Sequence, residues 1–130
     1  MGTVVVDSSV LIALLDPSDA HHVAARAIYD PSRSRHVIST TVLAEVLVGA
    51  SRLGEAAVVE AEARIDTLID DVCPVDRAVA RAAAVIRAEH PRLRLPDALV
   101  LATAVVQRAD ALLTADRAIA AADKRVRVIG

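Results

Sequence analysis

The chain has 130 residues, 55 % of them hydrophobic, enough for one ordinary domain with a real core. Its formal net charge of −2 argues against a protein that grips nucleic acid over a broad basic surface. With no Phe, no Trp and Tyr29 as its one aromatic, it cannot build the stacking platforms on which RRM or OB folds hold bases.

Cys73 is the only cysteine, so neither an intramolecular disulfide nor a cysteine-based zinc site is available. No apolar run approaches the ~20 residues of a membrane span, and the N-terminus carries no signal-peptide pattern. A soluble cytoplasmic protein with no membrane contact is expected. Nearly all basic residues are Arg, which fits GC-rich coding and is given no functional weight.

In chain order, "TVVV" (3–6) is a short buried-strand signal, and "SSVLIALLD" reads as a helix stopped near Pro17. A second helix is expected from about Ser18 to Pro31. "HVIS" (36–39) is the next strand, followed by the helix "TTVLAEVLVGA", expected to end near Gly49. From Gly54 on, Val58, Ala61, Ile65, Leu68 and Ile69 recur at helical spacing. "DVCPV" (71–75) is a third strand, after which Asp76 caps a helix with Val79, Ala82, Ala83 and Ile86 on one face. Pro96 suits the first turn of "PDALVLATAVVQR", since its missing N–H is not needed there. "ALLT" (111–114), a short helix in "ADRAIAAAD" and a last strand "VRVI" (126–129) complete the order. Strand and helix alternate throughout, which predicts an α/β three-layer sandwich with a mostly parallel sheet, as one domain over 1–130.

Open parallel sheets place their sites beyond the carboxyl ends of the strands. Asp7 follows "VVV" at one such end and Asp116 follows "ALLT" at another. Glu45 lies about two turns into the helix after "HVIS" and interrupts a largely apolar stretch. Asp97 sits in the first turn of an otherwise apolar helix. Each has a plain structural reading: Asp is a good N-cap, and a first-turn Asp complements the helix dipole. For Asp7, Asp97 and Asp116 taken singly, that reading is favoured. Glu45 is the exception, because no Lys or Arg within a helical turn offsets its charge.

The combination shifts the balance. Four acids on successive βα units at one sheet edge repel one another unless a cation holds them together. A carboxylate cluster without His or Cys is a hard-oxygen site suited to Mg²⁺ or Mn²⁺. Such ions polarise phosphoryl oxygens and activate water, so phosphodiester hydrolysis is the chemistry this set serves best.

Four pieces, "VVVDSSVLIALLD", "ISTTVLAEVLVGA", "LRLPDALVLATAV" and "ALLTADRAI", in this order, resemble the PIN-domain ribonucleases, and among them the VapC toxins of bacterial toxin–antitoxin pairs. That resemblance implies a Mg²⁺/Mn²⁺-dependent endoribonuclease toxin. It matches Asp7, Glu45, Asp97 and Asp116 to the acidic quartet that binds one or two ions and positions the attacking water. Ser9 and Thr114 match the hydroxyl residues that orient those carboxylates. It further implies RNA as substrate, a homodimer, and a cognate VapB-type antitoxin. Helices "SVLIALL" and "AHHVAARAI" would offer that antitoxin an apolar groove, although a dimer contact or plain core explains the same face. The stretch 54–70 is the least family-like part.

Arg92, Arg94 and Arg117 flank the acids and are candidate substrate contacts, the planar guanidinium matching phosphate oxygens. Loop arginines are more often simply solvated. The four histidines form no His-x-x-x-His pair, which disfavours zinc. A receiver domain would need a lysine on a late strand, and Lys124 lies beyond the fourth. A haloacid-dehalogenase-type phosphatase would need Asp where Ser9 stands. The remaining alternative is a non-catalytic PIN-like binding or assembly module.

Overall fold

The computed structural model describes residues 2–130. Among these, five strands form one sheet: β1 (Gly2–Val6), β2 (Ser34–Ser39), β3 (Asp71–Cys73), β4 (Ala111–Thr114) and β5 (Val126–Val128). Their spatial order is β3-β2-β1-β4-β5, and every pairing is parallel. The helices are α1 (Ser8–Leu15), α2 (His22–Ile28), α3 (Thr40–Leu53), α4 (Glu55–Leu68), α5 (Arg77–Glu89), α6 (Leu95–Val106) and α7 (Arg117–Ala120). No helix among the described residues is long and apolar enough to cross a membrane.

This is the α/β architecture with a parallel central sheet that the alternation of elements predicts. The chain steps from β1 through β2 to β3 along one direction of the sheet, then crosses back to β4 and β5. Right-handed crossovers therefore put α1 to α4 on one face and α5 to α7 on the other. β1 is the central strand because Val5 and Val6 find apolar neighbours on both faces, and both are fully buried. Leu11 from α1, Ile65 from α4, Leu101 from α6 and Leu112 from β4 complete that core.

The direction reverses between β1 and β4, and this reversal opens a crevice at the carboxyl ends of those two strands. Val6 pairs with Leu113, and the Asp7 N–H donates to the Leu113 carbonyl at 2.9 Å, so both strands end at one level.

Several boundaries differ from the sequence reading, the second strand starting at Ser34 among them. The second helix begins at His22, because Asp16 and Asp19 first bend the chain: Asp16 accepts from the Ser18 N–H at 2.9 Å and Asp19 from the His21 N–H at 2.8 Å. The helix expected to end near Gly49 continues to Leu53. A glycine within a helix costs only about 1 kcal/mol, too little to end one by itself. The chain turns at Gly54 instead, where φ is +110°, a conformation glycine adopts without strain. The third and fifth strands are also shorter than read, ending at Cys73 and Val128.

Candidate active site

Asp7 is both the end of β1 and the N-cap of α1, and its side chain accepts from the Ser8 N–H at 2.8 Å. Its second oxygen, Oδ2, accepts from the Thr114 hydroxyl at 2.7 Å and from the Ser9 hydroxyl at 3.4 Å. Both hydroxyls are themselves fixed: Thr114 Oγ1 accepts from the Asp116 N–H at 3.0 Å, and Ser9 Oγ from the Ala115 N–H at 3.0 Å. Strand ends β1 and β4 are thereby tied together around one buried carboxylate. Asp116 lies two residues past the end of β4 and caps α7, accepting from the Ala118 N–H at 2.9 Å. A cap of this kind stabilises its helix by about 1 kcal/mol, so the structural reading of these two aspartates holds alongside any chemical one.

Glu45 is reached from α1. The Ser8 hydroxyl donates to Glu45 Oε2 at 2.8 Å, joining α1 to α3 beside Asp7. Sequence reasoning missed Ser8, and its only signal there was its place directly after Asp7. Glu45 is exposed, so the expected desolvation of an acid among apolar residues does not arise. Asp97 stands in the first turn of α6, its side chain only 14 % exposed, with Arg94 Nε 3.6 Å from Oδ2.

Asp7, Glu45, Asp97 and Asp116 line one cleft of about 380 Å³, together with Ser8, Ser9, Arg94 and Pro96. Burial raises the Asp7 carboxyl above its ordinary value, opposed chiefly by the Thr114 hydrogen bond and reinforced by the Glu45 charge. Burial likewise raises Asp97. The Arg94 charge opposes that rise, while Asp116 and Asp7 add to it. Asp97 thus feels the charges of two other acids across the cleft.

Of the three candidate arginines, only Arg94 reaches the acid cleft. Arg92 lines a neighbouring cavity, and Arg117 lines neither. His22 is engaged by the Ala13 carbonyl, 2.6 Å from its Nδ1. Cys73 is buried.

The cleft offers carboxylate oxygens with no His or Cys among its lining residues, the donor chemistry of a hard divalent cation. The single guanidinium in the cleft pairs with one of its four acids, Asp97, at 3.6 Å. As placed, no three His, Cys, Asp or Glu side chains among the described residues form a group that could hold a metal ion. The donor set fits such a cation in chemical type, and the acids line the cleft without converging.

These features define a parallel α/β protein with a carboxylate site at its topological switch point. The family of PIN domains matches residues 4–125, and the chain belongs to it. Its structure is similar to that of VapC toxins. VapC20 of Mycobacterium tuberculosis, described as a sarcin–ricin-loop-cleaving toxin, is 25 % identical with a TM-score of 0.74 over 92 % of this chain and 94 % of that one. A toxin–antitoxin complex from Klebsiella pneumoniae is 25 % identical with a TM-score of 0.72, covering 96 % of each chain. VapBC-5 of Mycobacterium tuberculosis, a member of the VapBC family of toxin–antitoxin systems, is 27 % identical with a TM-score of 0.61 over 99 % of this chain and 98 % of that one. Comparison with curated protein sequences returned no match.

Proposed function

We propose that this protein, acting as one PIN domain over residues 1–130, is an endoribonuclease toxin of the VapC type that depends on Mg²⁺ or Mn²⁺. The observation that carries the proposal is that Asp7, Glu45, Asp97 and Asp116 all line one cleft at the reversal point of the sheet. A bound divalent ion would supply Lewis-acid polarisation of the scissile phosphate and would be held by these four carboxylates, as one ion or two.

The chain's own groups do the rest. Ser9, Thr114 and the Ser8 N–H fix the Asp7 carboxylate in one orientation, which removes reorganisation from the reacting state. Ser8 does the same for Glu45. Hydrolysis adds water across one P–O bond: the water oxygen bonds to phosphorus, its proton leaves, and the departing ribose oxygen gains one. Asp97, in the first turn of α6 and lining the cleft, takes the water's proton. Arg94, with its side chain 78 % exposed at the cleft, meets the phosphate.

An antitoxin of the VapB type is the partner this reading implies. VapBC-5, and the complex from Klebsiella pneumoniae, are toxin–antitoxin relatives. Ile12 and Leu15 of α1 with Val23 and Ile28 of α2 keep apolar side chains at the surface, Val23 being 81 % exposed, which suits an amphipathic partner helix. A homodimer and a cytoplasmic site of action belong to the same proposal.

Expression in a bacterial host tests it. Growth arrest by the wild type, relieved in Asp97→Ala and by co-expression of a cognate VapB-type antitoxin, is the expected result. A soluble Asp97→Ala variant that is equally toxic would overturn it.

A further inference from the structure

Beside the acid cleft lies a second cavity, of about 420 Å³, lined by Glu89, His90, Pro91, Arg92, Leu93 and alanines of the α7 segment. It falls within the size range of small-molecule sites. Its position follows from two short continuities of chain. Leu93 immediately precedes Arg94, which lines the acid cleft, and Ala118 lies two residues after Asp116, which also lines it. The loop makes this possible by turning. The Leu93 N–H donates to the His90 carbonyl at 2.9 Å and the Leu93 side chain is buried, so Arg92 and Arg94 come to line different cavities.

The lining has a definite chemistry. Leu93, Pro91 and the alanine methyls supply an apolar part of the lining without aromatic bulk. Around them stand a planar imidazole from His90, a planar guanidinium from Arg92 and the acceptor oxygens of Glu89. None of these three polar groups takes part in the ion pairs among the described residues. Unpaired RNA bases are received by this combination: apolar contact, a cationic or imidazole plane to stack on, and a hydrogen-bonding edge.

The need for such a cavity is set by composition. Tyr29 is the chain's one aromatic residue apart from its histidines, and its hydroxyl is committed to the Leu68 carbonyl at 2.9 Å, beside a separate pocket. It lines neither the acid cleft nor the cavity beside it. A chain that reads a base next to its acids must do so with guanidinium, imidazole and aliphatic groups.

We propose that this cavity holds an unpaired nucleobase of the RNA, one that flanks the phosphate seated at the acids. The proposal rests on the nuclease reading above, which supplies the substrate. His90 and Arg92 stack on the base, and Glu89 accepts from its exocyclic amino group, so bases that carry an amino group are favoured over those that do not.

The test uses Ala121→Leu, which fills the cavity from the short α7 segment, and Arg92→Ala, which removes an exposed stacking plane. Each variant and the wild type are given a short single-stranded RNA pool randomised around the cut, and cleavage sites are sequenced. The wild type is expected to show a bias toward amino-bearing bases at one position beside the cut. Both variants are expected to lose that bias and to raise KM about tenfold, the scale of one base-stacking contact. Unchanged base bias and KM in both variants would overturn the proposal and leave the cavity to a protein partner.

Should the wild type cut nothing, the nuclease reading fails, and binding decides the cavity separately. In that arm the fluorescence anisotropy of the same labelled pool is measured in chelator with all three proteins. Weaker binding by both variants supports a base site. Equal binding by all three, or none by the wild type, overturns it.

Discussion

The Thr114 hydroxyl donates to Asp7 Oδ2 at 2.7 Å, joining residues 107 positions apart at the ends of neighbouring strands. The same oxygen of Thr114 accepts from the Asp116 N–H, so one hydroxyl sets the places of two acids. Thr114→Val keeps the shape and removes both interactions. Cleavage is expected to fall about 10- to 100-fold, the usual effect of deleting such a supporting hydrogen bond, with Thr114→Ser restoring most of it. The loss should lie in kcat, with KM little changed. Full activity in a folded Thr114→Val protein would show that the bond has no part in the chemistry.

Asp7 illustrates how a site can work against its own fold. Its carboxyl is raised by burial, so its contribution to folding is favourable below the ordinary carboxylate value of 3.8 and is lost as pH rises through the raised value. At neutral pH the ionised group destabilises the metal-free protein. Asp7→Asn is therefore expected to melt at a higher temperature than the wild type in chelator. Added Mg²⁺ or Mn²⁺ should raise the wild type's melting temperature and leave the variant's unmoved. A variant that melts lower in chelator would contradict this account of the burial.

His36 predicts a second pH effect, far from the acids. The ring is 2 % exposed, sits 4.6 Å from the Tyr29 ring centroid, and its Nδ1 has no hydrogen-bond partner. Burial lowers its pKa from the ordinary 6.5, with the Asp70 charge opposing. A depressed value means that its contribution is present above 6.5 and is lost as pH falls through the folded value. Urea unfolding at pH 7.5 and pH 5.5 should show a larger loss for the wild type than for His36→Leu. Identical losses would remove His36 from the pH response.

Glu45 separates charge from structure. It is exposed, and its Ser8 hydrogen bond survives conversion to Gln, so Glu45→Gln should change stability by less than about 0.5 kcal/mol. If its charge serves the site, cleavage falls by about 10- to 100-fold while the melting temperature holds. Wild-type cleavage by this variant would reduce the functional set to three aspartates.

Sequence alone went furthest where local rules and topology agree. Asp7 and Asp116 sit just beyond strand ends because short apolar runs stop there and an Asp cap starts the next helix, both of which are written in a few consecutive residues. Alternation predicts a mostly parallel sheet, and every pairing observed is parallel. What stayed hidden depends on packing between segments distant in the chain. Ser8 meets Glu45 only because α1 and α3 lie on one face of the sheet. Arg92 and Arg94, two residues apart, part company because Leu93 is drawn into the core between them. The overrun past Gly49 shows the same limit, since a helix packed on its neighbours outweighs one unfavourable residue.

The most direct measurement of the central claim is cleavage by purified protein. Wild type and Asp97→Asn are incubated with total bacterial RNA, in Mg²⁺ or in chelator, and new 5′ ends are mapped. The account predicts discrete ends with the wild type in Mg²⁺ alone. The same ends from Asp97→Asn or in chelator, or none from folded wild type in Mg²⁺, would contradict it and favour a binding module on the PIN fold.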